Sequence, residues 1–271
     1  MHKTATIAAL FLTGALLAPV LALADQTITA AGSTALLPLV KEAAAEYQAK
    51  NPSVKIAVSG GGSGTGINQV SSKAVDIGDS DILAANLPDL VDHRVAVIGF
   101  AIIAHPGVNV SNLTKAQLQD IFSGKTQNWK EVGGADVKVT VINRPRNSGT
   151  RAVFTKTIMG SAPLTASGLT EDATGSVVTT VKSTPGAISY AAFSGIRGQG
   201  LTELSVDGVA PSDPNVIAGK YPFWSYEHMY TNGPPTPDVE RFIAYITSNS
   251  DLLNKAGYIL IRDMKVKETD R

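Results

Sequence analysis

The 271-residue sequence contains no cysteine. This excludes disulfides, thiol catalysis, cysteine metal sites and a lipid attached to an N-terminal cysteine. The sequence also lacks an excess of either charge, with 23 Lys and Arg residues against 23 Asp and Glu residues, so nothing favours nucleic acid or an anionic membrane as a partner. With 44% apolar and 17% charged residues, the composition is that of a globular protein with one large or two smaller domains.

The N-terminal segment has the features of a secretory signal peptide. Lys3 precedes the apolar run 7–21, and Ala22-Leu23-Ala24 is a small-x-small cleavage signal. The run is short for a bilayer span, which needs about 20 residues, although an uncleaved membrane anchor is the alternative interpretation. We therefore predict a signal peptide at residues 1–24, a mature chain that begins at Asp25, and a soluble exported protein.

The remaining sequence alternates between strand-like and helix-like segments, which indicates an α/β fold with mostly parallel sheets. In the first part of the chain, we expect strands in 25–32, 53–62, 76–82 and 94–105 and helices in 36–52 and 66–75. Beyond Pro106, we expect helices that begin near Thr114 and Ser148 and a helix in 237–248, with strands in 136–144, 184–193, 201–211, 221–231 and 257–261. The simplest arrangement is two lobes, the second inserted into the first, joined by crossing segments near 103–108 and 218–226.

Four clusters are rich in Ser, Thr and Gly: "AGSTAL" (31–36), "SGGGSGTGI" (59–67), "DIGDSDI" (76–82) and "RPRNSGTR" (144–151). In three of them a strand ends and a helix begins, and a helix N-terminus offers free N–H groups to an anion. Each cluster alone has a structural explanation as a helix cap, a flexible loop or a solvated arginine. Their recurrence at equivalent places favours a small-anion site at the carboxyl ends of the strands.

Asp81 is the most informative of these residues, because a carboxylate repels a bound anion unless the anion carries a proton to share. Phosphate has such a proton and sulfate at neutral pH has none, so Asp81 would discriminate between them. Asp76 or Asp79 could be the relevant acid instead. Arg144 would balance the charge with a bidentate guanidinium fork.

Taken in order, the motifs resemble the phosphate-binding subunit of ATP-driven phosphate importers. The matching segments are "GSTAL", "GGGSGTGI", "DIGDSDI", "LTKAQLQDIFSGKTQNWKEVGG", "RPRNSGTR" and "TPGAISY". The resemblance covers nearly the whole mature chain. It implies a two-lobed periplasmic-binding-protein fold of type II, with a central mostly parallel sheet flanked by helices in each lobe and two crossing hinge segments. Lobe 1 would comprise 25–105 plus 223–271, and the inserted lobe 2 would comprise 106–222.

The resemblance also implies roles for individual residues. Thr34 and Ala35 would supply backbone or hydroxyl donors next to Ser33, and Ser63 a hydroxyl and a backbone N–H. Asp81 would accept the phosphate proton, and Arg144 would be the cationic fork. The helix-end cradle of the second lobe would be formed by Ser148, Gly149 and Thr150.

The implied protein is a periplasmic monomer that binds inorganic phosphate and delivers it to the inner-membrane permease of an ABC importer. It would be neither an enzyme nor a lipoprotein, would need no cofactor and no metal, and would not bind nucleic acid. Two departures bear on the ligand: Ala35 stands where well-known members have a bulky aromatic residue, and Arg146 stands where they have an acid. Arg146 would make the pocket less anionic and could loosen selectivity against sulfate.

Other functions are kept as alternatives. The ligand could be another tetrahedral oxyanion, such as sulfate or molybdate, or the bound phosphate could serve a sensory or scaffold role. A secreted phosphate-ester hydrolase would need a nucleophile with a base or two metals, and the sequence offers no G-x-S-x-G elbow and no metal-ligand spacing among its four histidines. Trp129, Trp224, Tyr226 and Tyr230 could form a sugar platform but more simply pack a lobe or line the hinge.

Overall fold

The computed structural model describes residues 26–266. The predicted signal peptide and Asp25 lie outside these residues. Within 26–266, no helix combines the length and the apolar character that crossing a membrane requires.

The first lobe is built on three parallel strands, β1 (Gln26–Gly32), β2 (Val54–Ser59) and β3 (Ile77–Ser80), with β1 in the middle. Helices α1 (Leu37–Lys50) and α2 (Ser63–Ser71) connect them. The helix expected in 36–52 is confirmed as α1, which buries Leu39, Val40, Ala43, Ala44 and Tyr47 on one face. This arrangement brings the carboxyl ends of β1 and β3 next to the start of both helices.

Two long antiparallel strands, β4 (Leu90–Ala104) and β10 (Trp224–Asn232), join the lobes. β4 pairs with β10 as far as Gly99 and with β8 from Phe100 onward, so one strand belongs to both lobes. The Phe100 N–H donates to the Phe223 carbonyl, 2.9 Å away, just before β10 begins. The chain therefore passes twice between the lobes at adjacent positions.

The second lobe contains five further strands and five short helices. The strands are β5 (Asn112–Leu113), β6 (Thr140–Asn143), β7 (Leu169–Thr170), β8 (Ala187–Ala192) and β9 (Thr202–Val206). The helices are α3 (Lys115–Ser123), α4 (Gly149–Phe154), α5 (Thr174–Ser183), α6 (Phe193–Ile196) and α7 (Asp213–Ile217). The predicted helix start at Thr114 is confirmed by a capping box between Thr114 and Gln117. Helices α8 (Pro237–Ser248) and α9 (Ser250–Lys255) pack against α1 in the first lobe.

Parallel pairing dominates within each lobe, whereas every antiparallel pairing among the named strands involves β4 or β10. The sequence predicted a two-lobed α/β fold with mostly parallel sheets, and the observed pairing agrees with it. The antiparallel exceptions arise because β4 and β10 run between the lobes rather than forming β-α-β units.

The strand predicted at 257–261 is wrong. Residue Ile259 forms only an isolated bridge with Val97, with hydrogen bonds of 2.9 Å in both directions, and a 3₁₀ turn (Ile261–Asp263) follows at once. Its apolar residues signalled burial against β4, which is a property that strand and non-strand segments share.

The aromatic residues that could have formed a sugar platform belong to the core. Trp129, Trp224, Tyr226 and Tyr230 are all buried. The Trp129 indole donates to the Gly186 carbonyl over 2.9 Å, and the Trp224 and Tyr226 rings contact each other edge to face. The prediction that these residues pack the fold is confirmed.

Candidate functional site

Three helix starts meet in the cleft between the lobes. Ser33 lies in the turn before α1, Ser63 is the first residue of α2, and Ser148 is the N-cap of α4. The Ser33 hydroxyl oxygen accepts the N–H groups of Ala35 and Leu36, each over 3.0 Å, and so fixes the first turn. Because each helix carries partial positive charge at its start, the meeting point favours a negative group.

Asp81 lies at this meeting point and is only 3% exposed. The Ser33 hydroxyl donates to its Oδ1, and the Thr150 hydroxyl donates to its Oδ2 over 2.9 Å. Its backbone N–H donates to the Ser63 hydroxyl oxygen, also over 2.9 Å. Asp81 therefore connects the turn before α1 and the start of α4 through its carboxylate, and the start of α2 through its backbone N–H.

Two opposing influences act on the protonation of Asp81. Burial is the largest influence and raises the pKa of Asp81 above its ordinary value, although the hydroxyls of Ser33 and Thr150, the charge of Arg144 and the Ser63 hydroxyl act to lower it. These groups all stabilise the ionised form, in which Asp81 is purely a hydrogen-bond acceptor. An acceptor among donors is the arrangement that a protonated anion requires.

Arg144 follows β6 and is 1% exposed. Its Nη2 donates to the Thr34 hydroxyl oxygen and to the Asp172 carbonyl, both over 3.0 Å. Its Nε and Nη1 are buried without a hydrogen-bond partner, and buried donors normally have one. Burial lowers the pKa of the guanidinium and the charge of Asp81 raises it, but an arginine remains charged. The buried cation thus has two donors left for an acceptor.

Gly149 allows the two lobes to approach closely. A Cβ atom at this position would lie 2.1 Å from the Ser63 Oγ and 2.9 Å from the Asp81 Cβ. No side chain fits there unless the lobes separate. The glycine of the "NSGT" motif is therefore required by the contact between α4 and the first lobe.

Asn147 adds a second contact across the cleft and was not singled out from the sequence. Its amide nitrogen donates to the Gly61 carbonyl over 2.7 Å and to the Thr65 hydroxyl over 3.0 Å. The backbone carbonyl of Asn147 accepts the Gly64 N–H over 2.9 Å. The sequence signal that could have identified Asn147 is its position directly before Ser148.

Thr174 was also missed from the sequence. Its hydroxyl lies 3.3 Å from that of Thr34.

The structure brings all nine predicted site residues into this region: Ser33, Thr34, Ala35, Ser63, Asp81, Arg144, Ser148, Gly149 and Thr150. Ala35 is fully buried, and its carbonyl accepts the Tyr258 hydroxyl. Their individual contacts with a ligand stay predictions.

The other acids considered from the sequence are placed elsewhere. Asp76 accepts hydrogen bonds from the Thr29 N–H and hydroxyl, at 2.8 and 2.7 Å, away from the three helix starts. Asp79 is fully buried and its carboxyl oxygens have no hydrogen-bond partner. Arg146 is exposed, unlike Arg144 two residues earlier. Asp81 is thus the acid that lies among the donors.

No group of three His, Cys, Asp or Glu side chains in residues 26–266 is arranged to hold a metal ion. The buried His228 instead lies 2.8 Å from the Asp92 carboxylate, and His93 lies 3.0 Å from the Thr231 hydroxyl. Both histidines therefore have structural partners.

Comparison with known proteins gives consistent similarities. Residues 20–250 match the model of the PBP superfamily domain. The chain is 44% identical over 252 residues to the phosphate-binding protein PstS of Bacillus subtilis, covering 90% of this chain and 83% of that protein. The phosphate-binding protein PstS of Borreliella burgdorferi is 26% identical over 88% of this chain and 91% of its own length.

Solved structures show the same architecture. A phosphate ABC transporter substrate-binding protein from Clostridium perfringens, solved with bound phosphate, superimposes with a TM-score of 0.82 at 28% identity, over 87% of this chain and all of the other. An ABC-type phosphate transport receptor from Vibrio cholerae gives a TM-score of 0.70 at 26% identity, over 86% and 99% of the two chains. The two-lobed type II fold expected from the sequence is confirmed.

Proposed function

Because the chain belongs to the PstS family of phosphate-binding proteins within the PBP superfamily, we propose that it captures inorganic phosphate between its lobes and delivers it to an ABC permease. Capture would be reversible and would involve no chemical change of the ligand. Lobe closure would surround one desolvated ion with hydrogen bonds from both sides, which is a common hinge mechanism of such proteins.

The observation that carries this proposal is the presence of Arg144 and Asp81 together in one buried site. The two residues supply a buried cation with two donors and no partner for them, and a buried carboxylate that can only accept. A dianion without a proton could use Arg144 but would be repelled by Asp81. Phosphate can satisfy both residues, because its P–O⁻ oxygens accept from Arg144 and its P–OH donates to Asp81.

The remaining site residues supply donors in this proposal. Thr34, Ser63 and Thr150 provide hydroxyls, while the starts of α1, α2 and α4 provide backbone N–H groups. Ser33 fixes the first turn, and Gly149 admits the close approach of the lobes. The proposed lobe bounds remain 25–105 with 223–271 for the first lobe and 106–222 for the second.

The protein's surroundings follow from the same family membership. We infer that residues 1–24 are a cleaved signal peptide, that the mature chain works as a periplasmic monomer, and that its partner is an inner-membrane permease. The Ser33 hydroxyl, which lies beside Asp81, also accepts two backbone N–H groups, so it serves the turn rather than acting as a nucleophile. A binding protein rather than a hydrolase is therefore proposed.

Titration calorimetry tests this function. Protein expressed from the full chain is stripped of bound anion and titrated with phosphate and then with sulfate at neutral pH. We expect one-to-one phosphate binding with a Kd near about 1 µM or below, equivalent to about −8 kcal/mol, and no heat with sulfate. Comparable sulfate binding would contradict the role of Asp81, and binding of neither anion would contradict the proposed ligand.

A further inference from the structure

Two more carboxyl groups lie behind Asp81, away from the helix starts. Asp79 and Glu227 are both fully buried. Asp79 pairs with Met229 in the antiparallel register of β3 and β10, so Asp79, Asp81, Glu227 and Met229 project from the same face of the sheet. Ser225 reinforces this register, because its hydroxyl donates to the Asp81 carbonyl over 2.6 Å.

The register of β3 and β10 continues to Asp81 and Glu227, which therefore lie directly opposite each other, where side chains of neighbouring strands meet. No side-chain or backbone donor of the described chain bonds to either Glu227 oxygen. Two ionised carboxylates cannot bond to each other because both only accept, so a contact of this kind requires a proton on one of them.

The surrounding donors decide which carboxyl carries that proton. Asp81 accepts from Ser33 and Thr150 and lies near the Arg144 charge, all of which stabilise its ionised form. Glu227 has none of these stabilising contacts and is completely shielded from water. These contacts favour a proton on Glu227 rather than on Asp81.

We propose that Glu227 is a protonated positioning residue whose O–H donates to Asp81 and holds Asp81 as the ionised acceptor for the proton of the bound anion. This inference rests on the proposed phosphate-binding function. It extends the site by one layer, since the selectivity of Asp81 for a protonated anion would depend on a residue that the ligand does not touch.

The titratable groups that face Glu227 are few. Asp79 faces it from β3, Asp81 from just after β3, and Tyr258 from the segment after α9, while its partner on β4 is Ala96. Burial raises the pKa of Glu227 well above its usual range, and the charges of Asp81 and Asp79 raise it further. Burial and these neighbours all favour the neutral acid form of Glu227.

The chemical consequence is a neutral layer behind an anionic ligand. Ionised Glu227 would place a second negative charge behind Asp81 and repel both Asp81 and the ligand. A proton on Glu227 removes that repulsion and adds a third donor to Asp81. The donor on Glu227 therefore stabilises the ionised form of Asp81 and keeps it an acceptor. Protonation of Asp81 itself would turn it into a donor.

A matched pair of variants separates the donor from the side-chain volume. Glu227→Gln keeps an N–H donor to Asp81, whereas Glu227→Met has a similar size and no donor. We expect Glu227→Gln to bind phosphate within about threefold of wild type, and Glu227→Met to lose about tenfold or more in affinity and in phosphate-over-sulfate preference, as for a hydrogen bond to a charged group. Equal affinity and preference in wild type and Glu227→Met would overturn the proposal.

A spectroscopic measurement on the anion-free protein separates this inference from the proposed function. Asp79 is itself buried, so the measurement uses Asp79→Asn as the background. The infrared C=O band of a protonated carboxylic acid should be present at pH 7 in Asp79→Asn and absent in Asp79→Asn/Glu227→Gln. Its absence from Asp79→Asn would show that Glu227 is ionised and would overturn the inference, whatever the protein binds. If the band is present but wild type binds no phosphate, the proposed function fails and the protonation of Glu227 stands.

Discussion

The Thr150 hydroxyl in the second lobe donates to the Asp81 carboxylate in the first lobe over 2.9 Å. The same pair links the cradle at the start of α4 to the acid that follows β3. Closure of the cleft and completion of the anion site are therefore one event in this structure. Removing a residue from either side should affect both, and the predictions below use that coupling.

Asp81→Asn is expected to weaken discrimination against sulfate while the fold is retained. The amide oxygen can still accept from one partner, but the negative charge that repels an unprotonated dianion is lost. We expect the ratio of sulfate to phosphate dissociation constants to fall by about tenfold or more, measured by calorimetry at pH 7.

Asp79→Asn is the matched control for this change. It makes the same change of carboxyl to amide two residues earlier, at a side chain that makes no hydrogen bond in the described chain. Its sulfate-to-phosphate ratio should stay near that of wild type. If Asp79→Asn alters the ratio and Asp81→Asn does not, the acid that discriminates between the two anions is Asp79.

Arg144→Lys should lower phosphate affinity by about tenfold or more, because an ammonium group cannot reproduce the planar guanidinium fork. Lysine could keep a contact with either Thr34 or the Asp172 carbonyl, but it would lose the donors that Nε and Nη1 present. Calorimetry with phosphate measures the effect.

Arg146→Lys provides the corresponding test at an exposed position. The side chain is solvated, and an exposed charge two residues from the site is screened by salt. We expect phosphate affinity within about threefold of wild type at physiological ionic strength. A larger loss in Arg146→Lys than in Arg144→Lys would mean that the second arginine contacts the ligand.

Gly149→Ala should prevent the lobes from closing. The added Cβ would overlap the Ser63 hydroxyl at 2.1 Å, and both atoms belong to well-packed helix starts that cannot easily shift. We expect phosphate affinity to fall by more than tenfold and the solution radius of gyration to stay at the open value when phosphate is added. Small-angle X-ray scattering with and without phosphate measures the second quantity.

Gly175→Ala is the control for the added methyl group. Gly175 lies in α5, and a Cβ there would meet no atom within 4 Å. This variant should bind phosphate and close as wild type does, with slightly greater stability from the better helix former. Normal closure in Gly149→Ala would show that α4 and the first lobe separate enough to admit a side chain.

The sequence predicted the α/β order and the four clusters rich in Ser, Thr and Gly because each rests on a local signal, whereas the roles of the nine individual site residues came from the family resemblance and stay predictions. Strand ends followed by Ser, Thr and Gly at helix starts mark positions where backbone donors are free, whatever the tertiary contacts are. The "NSGT" stretch indicated the cradle in this way. The type II fold itself was predicted from the family resemblance rather than from these signals.

The residues that the sequence did not reveal depend on register across the sheet. Glu227 lies in β10, and its position opposite Asp81 arises from the pairing of β3 with β10, which have 143 residues between them in the sequence. Strand periodicity shows which residues share a face, but it does not show which strand lies next to which. The strand predicted at 257–261 was wrong for a related reason, since apolar residues indicate burial but do not indicate strand pairing.

Asp79→Asn should flatten the decline of stability at rising pH. Burial raises the pKa of Asp79 well above its usual range, and the charge of Asp81 raises it further. The folded protein therefore holds the Asp79 proton above pH 3.8, where the unfolded chain begins to lose it, so the free energy of unfolding falls as pH rises through that window. Urea unfolding from pH 4 to pH 8 should show a shallower decline in Asp79→Asn than in wild type. Asp76→Asn is the control, because it changes an aspartate that is bonded to Thr29 and leaves Asp79 in place. In this variant the contribution of Asp79 to the decline of the free energy of unfolding with pH should be kept. Identical slopes in wild type and Asp79→Asn would mean that Asp79 is ionised in the folded protein.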